Sequence, residues 1–447
     1  MAVKTFLYNF IFLGIFPGIS LHAQDSSSAQ GLTKWNLQNC IEYAKKNNIQ
    51  ISSLRLDIQT TQQDLLLSRA ARQPNLYGTA SQSFIHSKNT NPVVGGFQTQ
   101  ASFSSNYSLS SSWIIFSGGS INYDIRQKQL GVQSASLNVL QAENDITLQI
   151  TQLYLNILLA QENIIYVEDL LATSQAQWAQ GKQRFDAGSI PRKDLVVLEA
   201  LTATDKYNLV VAKNTRRQNL LLLKHLLQLP TDSAFDVSVP DTVIATALVP
   251  SLNEVEKTAL ENRPEVKNSV LGLEIARLSL AKSKSAFLPI ASVGGALSSG
   301  YSNNQSLAYL KQLDNNFYQQ IGLTLSVPVF TRRVNKTNLE NSKIGISQAE
   351  LTLRNTKTTL SQTIEQAYIN LLNAQAQYDA SVEQLKANQE SYRIASEQLK
   401  VGAVNMIDFL LQKNLYIQSL QAYVQAKYTS ALDIKLYNFY MGVPVNF

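Results

Sequence analysis

Residues Ile364 to Leu399 read IEQAYIN LLNAQAQ YDASVEQ LKANQES YRIASEQ L, and each block of seven opens on a large residue: Ile364, Leu371, Tyr378, Leu385, Tyr392, Leu399. A second, smaller series runs between them through Leu360, Ala367, Ala374, Ser381, Asn388 and Ala395. A seam repeating every seven residues belongs to helices packed side by side as a coiled coil. The surrounding stretch from Thr331 to Tyr440 has no proline, and its only glycines are Gly345 and Gly402. Proline interrupts a helix and glycine weakens one, so the stretch reads as helix broken once, at Val401-Gly402-Ala403. A helix from Thr331 to Val401 would be on the order of 100 Å long at about 1.5 Å per residue. With a return run from Asp408 to Tyr440, it predicts a very long helical hairpin.

The same pattern occurs twice. Gly188 and Gly402, Asp194 and Asp408, Phe116 and Phe330, and Pro230 and Pro444 are each separated by 214 residues (402 − 188). Pro74 and Pro289 stand 215 apart, and a twin seam runs through Ile150, Ile157, Ile164, Leu171, Trp178 and Phe185. A constant register of this length means internal duplication. The expected first repeat is 24–230, with strands near 75–87 and 99–116, a long helix over 119–187 and a return helix over 193–228. A connecting segment takes 231–251. The second repeat is 252–447, with strands near 289–302 and 316–330 and helices over 331–401 and 408–440. Each repeat opens with a short helix, from Trp35 to Lys46 and from Leu252 to Glu261, and a longer one, the second from Glu265 to Phe287. These lengths suit one long helix flanked by two shorter ones set end to end.

The strands bear on the environment. Ala101, Phe103, Tyr107, Leu109 and Trp113 alternate with Ser102, Ser104, Asn106, Ser108, Ser110 and Ser112. Ile321, Leu323, Leu325, Val327 and Val329 alternate with Gln320, Gly322, Thr324 and Ser326. The period suits a membrane strand, apolar to lipid and polar to a lumen, and equally a sheet half-buried on a protein core. Two observations favour the membrane. Residues 1–23 read as a secretory signal, with Lys4, an apolar run from Phe6 to Ile19 and Ala23 before the cleavage point. No other layer is available to cover the apolar face. Open strand edges are costly in lipid, and four strands are too few for a bacterial barrel of at least about eight, so several chains must share one. The loops from Ser87 to Gln98 and Asn303 to Asn316 would then be outer tips.

Composition narrows the function classes. In 447 residues charged side chains are 16%, and the net charge of +6 is not gathered into a basic block, so no nucleic-acid surface is indicated. The single cysteine, Cys40, allows no internal disulfide and sits on a predicted helix as a small buried residue. Beyond the signal the histidines are His86 and His225, far apart, and there is no metal-ligand cluster, phosphate loop or nucleophile–base set. No catalysis, cofactor or metal is expected. Isolated acidic residues read as solvated faces, and Tyr378, Tyr392 and Trp178 as seam packing. Arg332 and Arg333 read as a barrel rim.

Together the duplication, the junctions Phe116-Ser117-Gly118-Gly119 and Pro328-Val329-Phe330, and the turns Arg184 to Leu195 and Gln398 to Phe409 resemble the TolC-type outer-membrane efflux proteins across the mature chain. The resemblance implies a mainly α fold with a β membrane part. Duplicated coiled-coil hairpins would form an α-barrel tunnel in the periplasm, and four strands per chain would contribute to a shared twelve-stranded β-barrel in a homotrimer. It implies a passive exit duct in the outer membrane of a Gram-negative cell, docked to a periplasmic adaptor and an inner-membrane transporter. Such a duct serves tripartite efflux or type I secretion and exports small molecules or proteins. Competing readings are a structural coiled-coil surface protein and a stand-alone porin. For the periplasmic gate the resemblance points to Asp408 and Asp194. It has Leu411 where a second acidic residue would stand and Val404 where a basic lock would stand, which implies a more apolar gate. Capping the return helices is the alternative role for Asp194 and Asp408. Gly188, Gly402, Ile190 and Met406 would form the adaptor-docking tip.

Overall fold

The computed structural model describes residues 33–90, 97–240 and 242–445. The signal reading of 1–23 lies outside these, as do residues 91–96 of the first outer loop. The first repeat runs β1 (Thr33–Trp35), α1 (Leu37–Asn47), α2 (Ile49–Ala70), β2 (Tyr77–Thr90), β3 (Phe97–Phe116), α3 (Ser120–Asp186) and α4 (Arg192–Leu227). After β4 (Phe235–Val237) come α5 (Leu252–Asn262), α6 (Pro264–Ser285), β5 (Ile290–Ser302), α7 (Tyr309–Asn315), β6 (Tyr318–Ser326), α8 (Val334–Val401) and α9 (Met406–Tyr440).

The long helices α3 and α8 have 67 and 68 residues. Their heptad positions face inward: Ile150, Ile157 and Ile164 are buried on α3, and Leu360, Ile364, Leu371, Ala374, Ser381 and Ala395 on α8. Two shorter helices share the length of each. The end of α2 lies on the start of α3, where Ser68 donates to Asp124 (2.6 Å) and Arg72 to Asn122 (2.8 Å). Farther along, α4 takes over, and Asn219 donates to the Asn156 carbonyl. In the second repeat Ser283 and Ser342 join α6 to the start of α8 (2.7 Å), and Tyr378–Tyr423 and Tyr392–Tyr416 ring contacts join α9 to its far half. The repeats adhere through α6 and α3, where Lys282 pairs with Asp124 at 2.6 Å.

Two apolar cores sit where the short helices α1 and α5 dock. One gathers Leu37, Cys40, Ile41, Ala44, Ile150, Tyr154, Ile157, Leu223 and Leu227; the other gathers Val255, Ala259, Val266, Leu360, Ile364, Leu371 and Tyr437. Cys40 is fully buried, and loss of solvent pushes its thiol up to about 12.

The main sheet has the order β2-β3-β5-β6, antiparallel throughout. Directly opposed residues share a face, so the register carries the alternation across all four strands. Phe84, Phe103, Tyr107, Leu109, Trp113, Val293, Leu297, Ile321, Leu323 and Leu325 fall on one side. Ser81, Ser83, Ser104, Asn106, Ser108, Ser110, Ser298, Gln320, Gly322 and Thr324 fall on the other. Ile321 and Leu323 are 82% and 71% exposed. Neither β2 nor β6 has a second neighbour among the described residues.

Several expectations need correction. Trp35 belongs to β1, which pairs in parallel with β4 from the connecting segment; its ring meets Tyr43 and Phe235 edge-on. The described residues therefore hold six strands rather than four. Strands β2 and β3 stay paired as far as Thr90 and Phe97, so the first outer loop is shorter than 87–98. The second outer connection is not all loop, because it contains α7.

Every described left-handed backbone position occurs in a pair offset by 214 residues: Gly118 with Arg332, Gly119 with Arg333, Gly188 with Gly402, and Gln228 with Gly442. The sheet-to-helix corner thus keeps its conformation in both repeats, with φ of 61° and 87° on glycines but 48° and 71° on arginines. An L-residue there costs roughly 1–2 kcal/mol. At Gly118 a Cβ would also stand 2.9 Å from Leu288 Cβ and 3.0 Å from the Ser285 carbonyl. We therefore expect opposite signs at equivalent corners. Arg332→Gly with Arg333→Gly should stabilise the protein by about 1 kcal/mol, after the entropy cost of glycine. Gly118→Ala should destabilise it by more, both read as shifts in thermal midpoint of the purified protein in detergent.

Candidate functional site

The two hairpin turns lie side by side at the end of the molecule farthest from the sheet. Each closes in the same way. Ser189 N donates to Arg184 O (2.7 Å) and Ala403 N to Gln398 O (2.8 Å), with Gly188 and Gly402 left-handed at φ of 71° and 76°. These are Schellman closures, which glycine permits without strain. Helix α4 then starts at Arg192 after Pro191, and α9 at Met406 after Asn405.

Asp194 and Asp408 are therefore not the first residues of the return helices but the third. The cap of α9 is Asn405, whose Oδ1 accepts from Asp408 N (2.9 Å) while its Nδ2 donates to Asp408 Oδ2 (2.7 Å). The first bond satisfies one orphan donor of the first turn, and the second fixes the cap side chain in place. The α4 turn has no side-chain cap; Asp194 N donates to the Pro191 carbonyl instead.

A cavity of about 320 Å³ separates the two turns. Of the residues singled out from sequence, Ile190, Asp194, Gly402, Val404 and Met406 line it, together with Gly181, Leu198, Leu399 and Ile407. Asp408, Leu411 and Gly188 do not. Asp408 and Gly188 are exposed, and Leu411 points outward from α9 at 54% exposure.

Across the cavity Arg184, near the end of α3, donates from Nη1 to the Leu399 carbonyl of α8 (3.1 Å). That carbonyl belongs to the last turn of α8, where cations are favoured. Position 404 is valine, and the cation that reaches across this cavity comes from the other hairpin.

About eighteen ångströms up the α3 rod from this turn, at about 1.5 Å per residue, three polar residues meet in the dry interior. Lys413 of α9 is fully buried and donates to Ser174 Oγ of α3 (2.6 Å) and Asp205 Oδ2 of α4 (2.7 Å). Ser174 also donates to Asp205. Loss of solvent pulls the Lys413 pKa below the usual lysine value, opposed by the hydrogen bond and charge of Asp205. Farther along, Lys427 of α9 pairs with Glu162 of α3 at 2.8 Å. Reading isolated acidic residues as solvated faces was thus wrong for Asp205. The signal was in the sequence: Leu198, Asp205 and Ala212 stand seven apart and are all buried, as are Val167, Ser174 and Gly181. A polar residue in a seam position of a coiled coil sets register.

These geometries come with a family. A family model described as outer membrane efflux protein matches residues 40–227 and 255–433. The chain belongs to that family. It is 21% identical over 401 residues to the outer membrane efflux protein BepC of Brucella suis, covering 90% of this chain and 84% of that one. To the outer membrane protein TolC of Vibrio cholerae it is 22% identical, covering 84% and 83%. Among solved structures, CusC superposes with a TM-score of 0.78 at 17% identity over 93% of this chain and 95% of that one. The Campylobacter jejuni CmeC channel gives 0.77 at 19% identity over 91% and 85%. The chain is an outer-membrane exit duct of the efflux class, with its helical part in the periplasm. Its family consists of channels rather than enzymes.

Removing one partner of a buried ion pair leaves the other charge stranded, at a cost of about 3–5 kcal/mol. Lys413→Ala should lower stability by that order. Lys413→Met combined with Asp205→Leu should recover most of the loss, because neither charge then remains. Thermal unfolding of the purified variants in detergent measures both.

Proposed function

We propose that three copies of the chain close a twelve-stranded barrel and a periplasmic helical tunnel, and that the assembly is a passive duct. The observation that carries this reading is the four-stranded sheet. It has an apolar face, a small polar face, and two edge strands without partners. In hydrocarbon each unsatisfied backbone group costs several kcal/mol, so β6 of one copy must pair with β2 of the next until the ring closes. The serine- and glycine-rich side then lines an aqueous lumen. Exposed apolar residues on the rods, among them Leu66 and Leu67 on α2, Val210 on α4 and Leu351 on α8, supply contact surface between copies.

On this reading energy comes from elsewhere. The tips meet a periplasmic adaptor, and an energised inner-membrane transporter delivers the cargo, small molecules or exported proteins. The adaptor seats at the cavity between the turns, where Gly402 keeps the backbone bare beside Ile190 and Met406. Asp408 faces solvent at the mouth, and three copies would give a carboxylate ring that favours cations. The outward Leu411 and Val404 on the cavity wall make the rest of the mouth apolar. Arg184 holds the second hairpin to the first and so keeps the mouth narrow.

Gly402→Trp should abolish efflux, returning drug susceptibility to that of a deletion strain, while cross-linked trimers persist in the outer membrane. Unchanged susceptibility at normal trimer levels would refute the docking role. Arg184→Ala should raise single-channel conductance in planar bilayers. An unchanged conductance would show that the link to Leu399 does not hold the mouth.

A further inference from the structure

Helix α7 lies in the β5–β6 connection, at the end of the sheet opposite the helical rods. It does not project outward. It folds back onto the apolar face of the sheet. Tyr309 OH meets Tyr107 OH at 2.7 Å, and the Tyr309 ring packs on Tyr301 at 4.8 Å. Ser299 donates its hydroxyl to the Leu313 carbonyl. Ser299 is three residues inside the outer end of β5, so α7 reaches about 10 Å down the strand.

A buried glutamine fixes the helix there. Gln312 is fully buried; its Oε1 accepts from Ser302 N (2.9 Å) and its Nε2 donates to the Leu307 carbonyl (2.7 Å). The place it covers is the polar interruption of the apolar face. Ser105 and Ser299 share that face with Tyr107, Leu109 and Leu297, and Ser105 is fully buried beneath the connection. Hydroxyls facing hydrocarbon without partners are costly. The connection covers Ser105 and gives Ser299 the Leu313 carbonyl, and it turns out Leu307 and Leu310, the latter 79% exposed, beside the exposed Lys311–Asp314 pair.

Next to this seat the face is hollowed. A concavity of about 480 Å³ is lined by Gly78, Ala80, Tyr107, Leu109, Leu297 and Phe317. Its floor is low because residues 78 and 80 have little or no side chain. It shares Tyr107 with the α7 seat and is bounded by Phe317, two residues past the end of α7.

We propose that α7 is a lipid-binding element of the barrel wall, with Leu307 and Leu310 among the acyl chains of the outer leaflet and one chain lying in the hollow beneath. The occupant is lipid rather than a neighbouring copy, because α7 sits over β3 and β5, in the middle of the sheet, whereas copies meet at β2 and β6. It is lipid rather than water because the surface is continuous with Ile321, Leu323 and Leu325 on the same face. The proposal rests on the barrel reading above.

The test uses nitroxide labels on single cysteines in a Cys40→Ala background, with the full chain reconstituted in phosphatidylethanolamine–phosphatidylglycerol vesicles. Labels go at Leu310→Cys, at Leu323→Cys on the apolar face and at Thr324→Cys on the polar face. Collision with molecular oxygen reports hydrocarbon; collision with a water-soluble nickel chelate reports water. Leu310 should follow Leu323, with oxygen accessibility several-fold above that of the chelate, and Thr324 should show the reverse. Chelate access at Leu310 with lipid contact kept at Leu323 overturns the α7 proposal and leaves the duct reading intact. Shielding of Leu310 from both reagents would mean that protein covers the helix, and also overturns it. Chelate access at Leu323 as well would bring down the barrel reading and the proposal with it.

Discussion

A strand at the edge of a sheet carries a row of N–H and C=O groups that want partners, and in this chain two such rows are left over. Among the described residues, strands β2 and β6 are each paired on one side alone. In water, solvent would satisfy the outer rows and the sheet could end there. Placed across a hydrocarbon layer the same rows are intolerable. The sheet's two faces already favour that layer, because most of its large apolar residues fall on one side and most of its serines on the other. On the proposed reading, the membrane converts an ordinary small sheet into a fragment that copies of itself complete, and the long rods below it would hold those copies in register.

The rods hold together through a different balance. Their seams are mainly aliphatic, which gives adhesion without specifying alignment, since any shift by seven residues restores the pattern. Polar residues in seam positions remove that freedom. Lys413, Ser174 and Asp205 fit one another in one alignment of three helices from both repeats. Buried ion pairs contribute little net stability and much cost when mismatched, so their value here lies in alignment. Farther along, the largely buried Lys427–Glu162 pair repeats the device on the same two rods. Both tie α9 to the first hairpin, so the second hairpin is braced at two levels above the Arg184–Leu399 contact at its tip.

How much of this could be read from the chain depends on range. Heptads and alternation are local periods, and they placed the long helices, the return helices and the faces of the sheet close to their observed bounds. The tip turns were legible for the same reason, because Gly188 and Gly402 mark Schellman closures within a few residues. What escaped were pairings between distant segments. Strand β1 exists because β4 lies beside it some two hundred residues later, and three residues have no period to detect. Helix α7 is short and polar in composition, and Gln312 gains its meaning only from Ser302 and the Leu307 carbonyl. Asp205 looked like any surface carboxylate until Lys413 was found against it. At the tip, Ile190, Asp194, Gly402, Val404 and Met406 do come together around one cavity, while Asp408, Leu411 and Gly188 look away from it.

Duplication explains why the backbone is more symmetric than the chemistry. The four pairs of left-handed corners fall at one constant offset, so the path of the chain has been preserved through both repeats. The residues on that path have not. Glycines turn the first corner from sheet to rod, and arginines turn the second at a conformational cost. The tips diverge in the same manner. The first supplies the cation that crosses to its twin, and the second supplies the Asn405–Asp408 cap. Two copies of one fold element can therefore carry unequal chemistry. Two identical hairpin tips would offer each other the same groups. Because the repeats have diverged, a guanidinium on one tip meets a helix-end carbonyl on the other, and the two hairpins are joined inside the chain by a contact that neither repeat could make with its own copy.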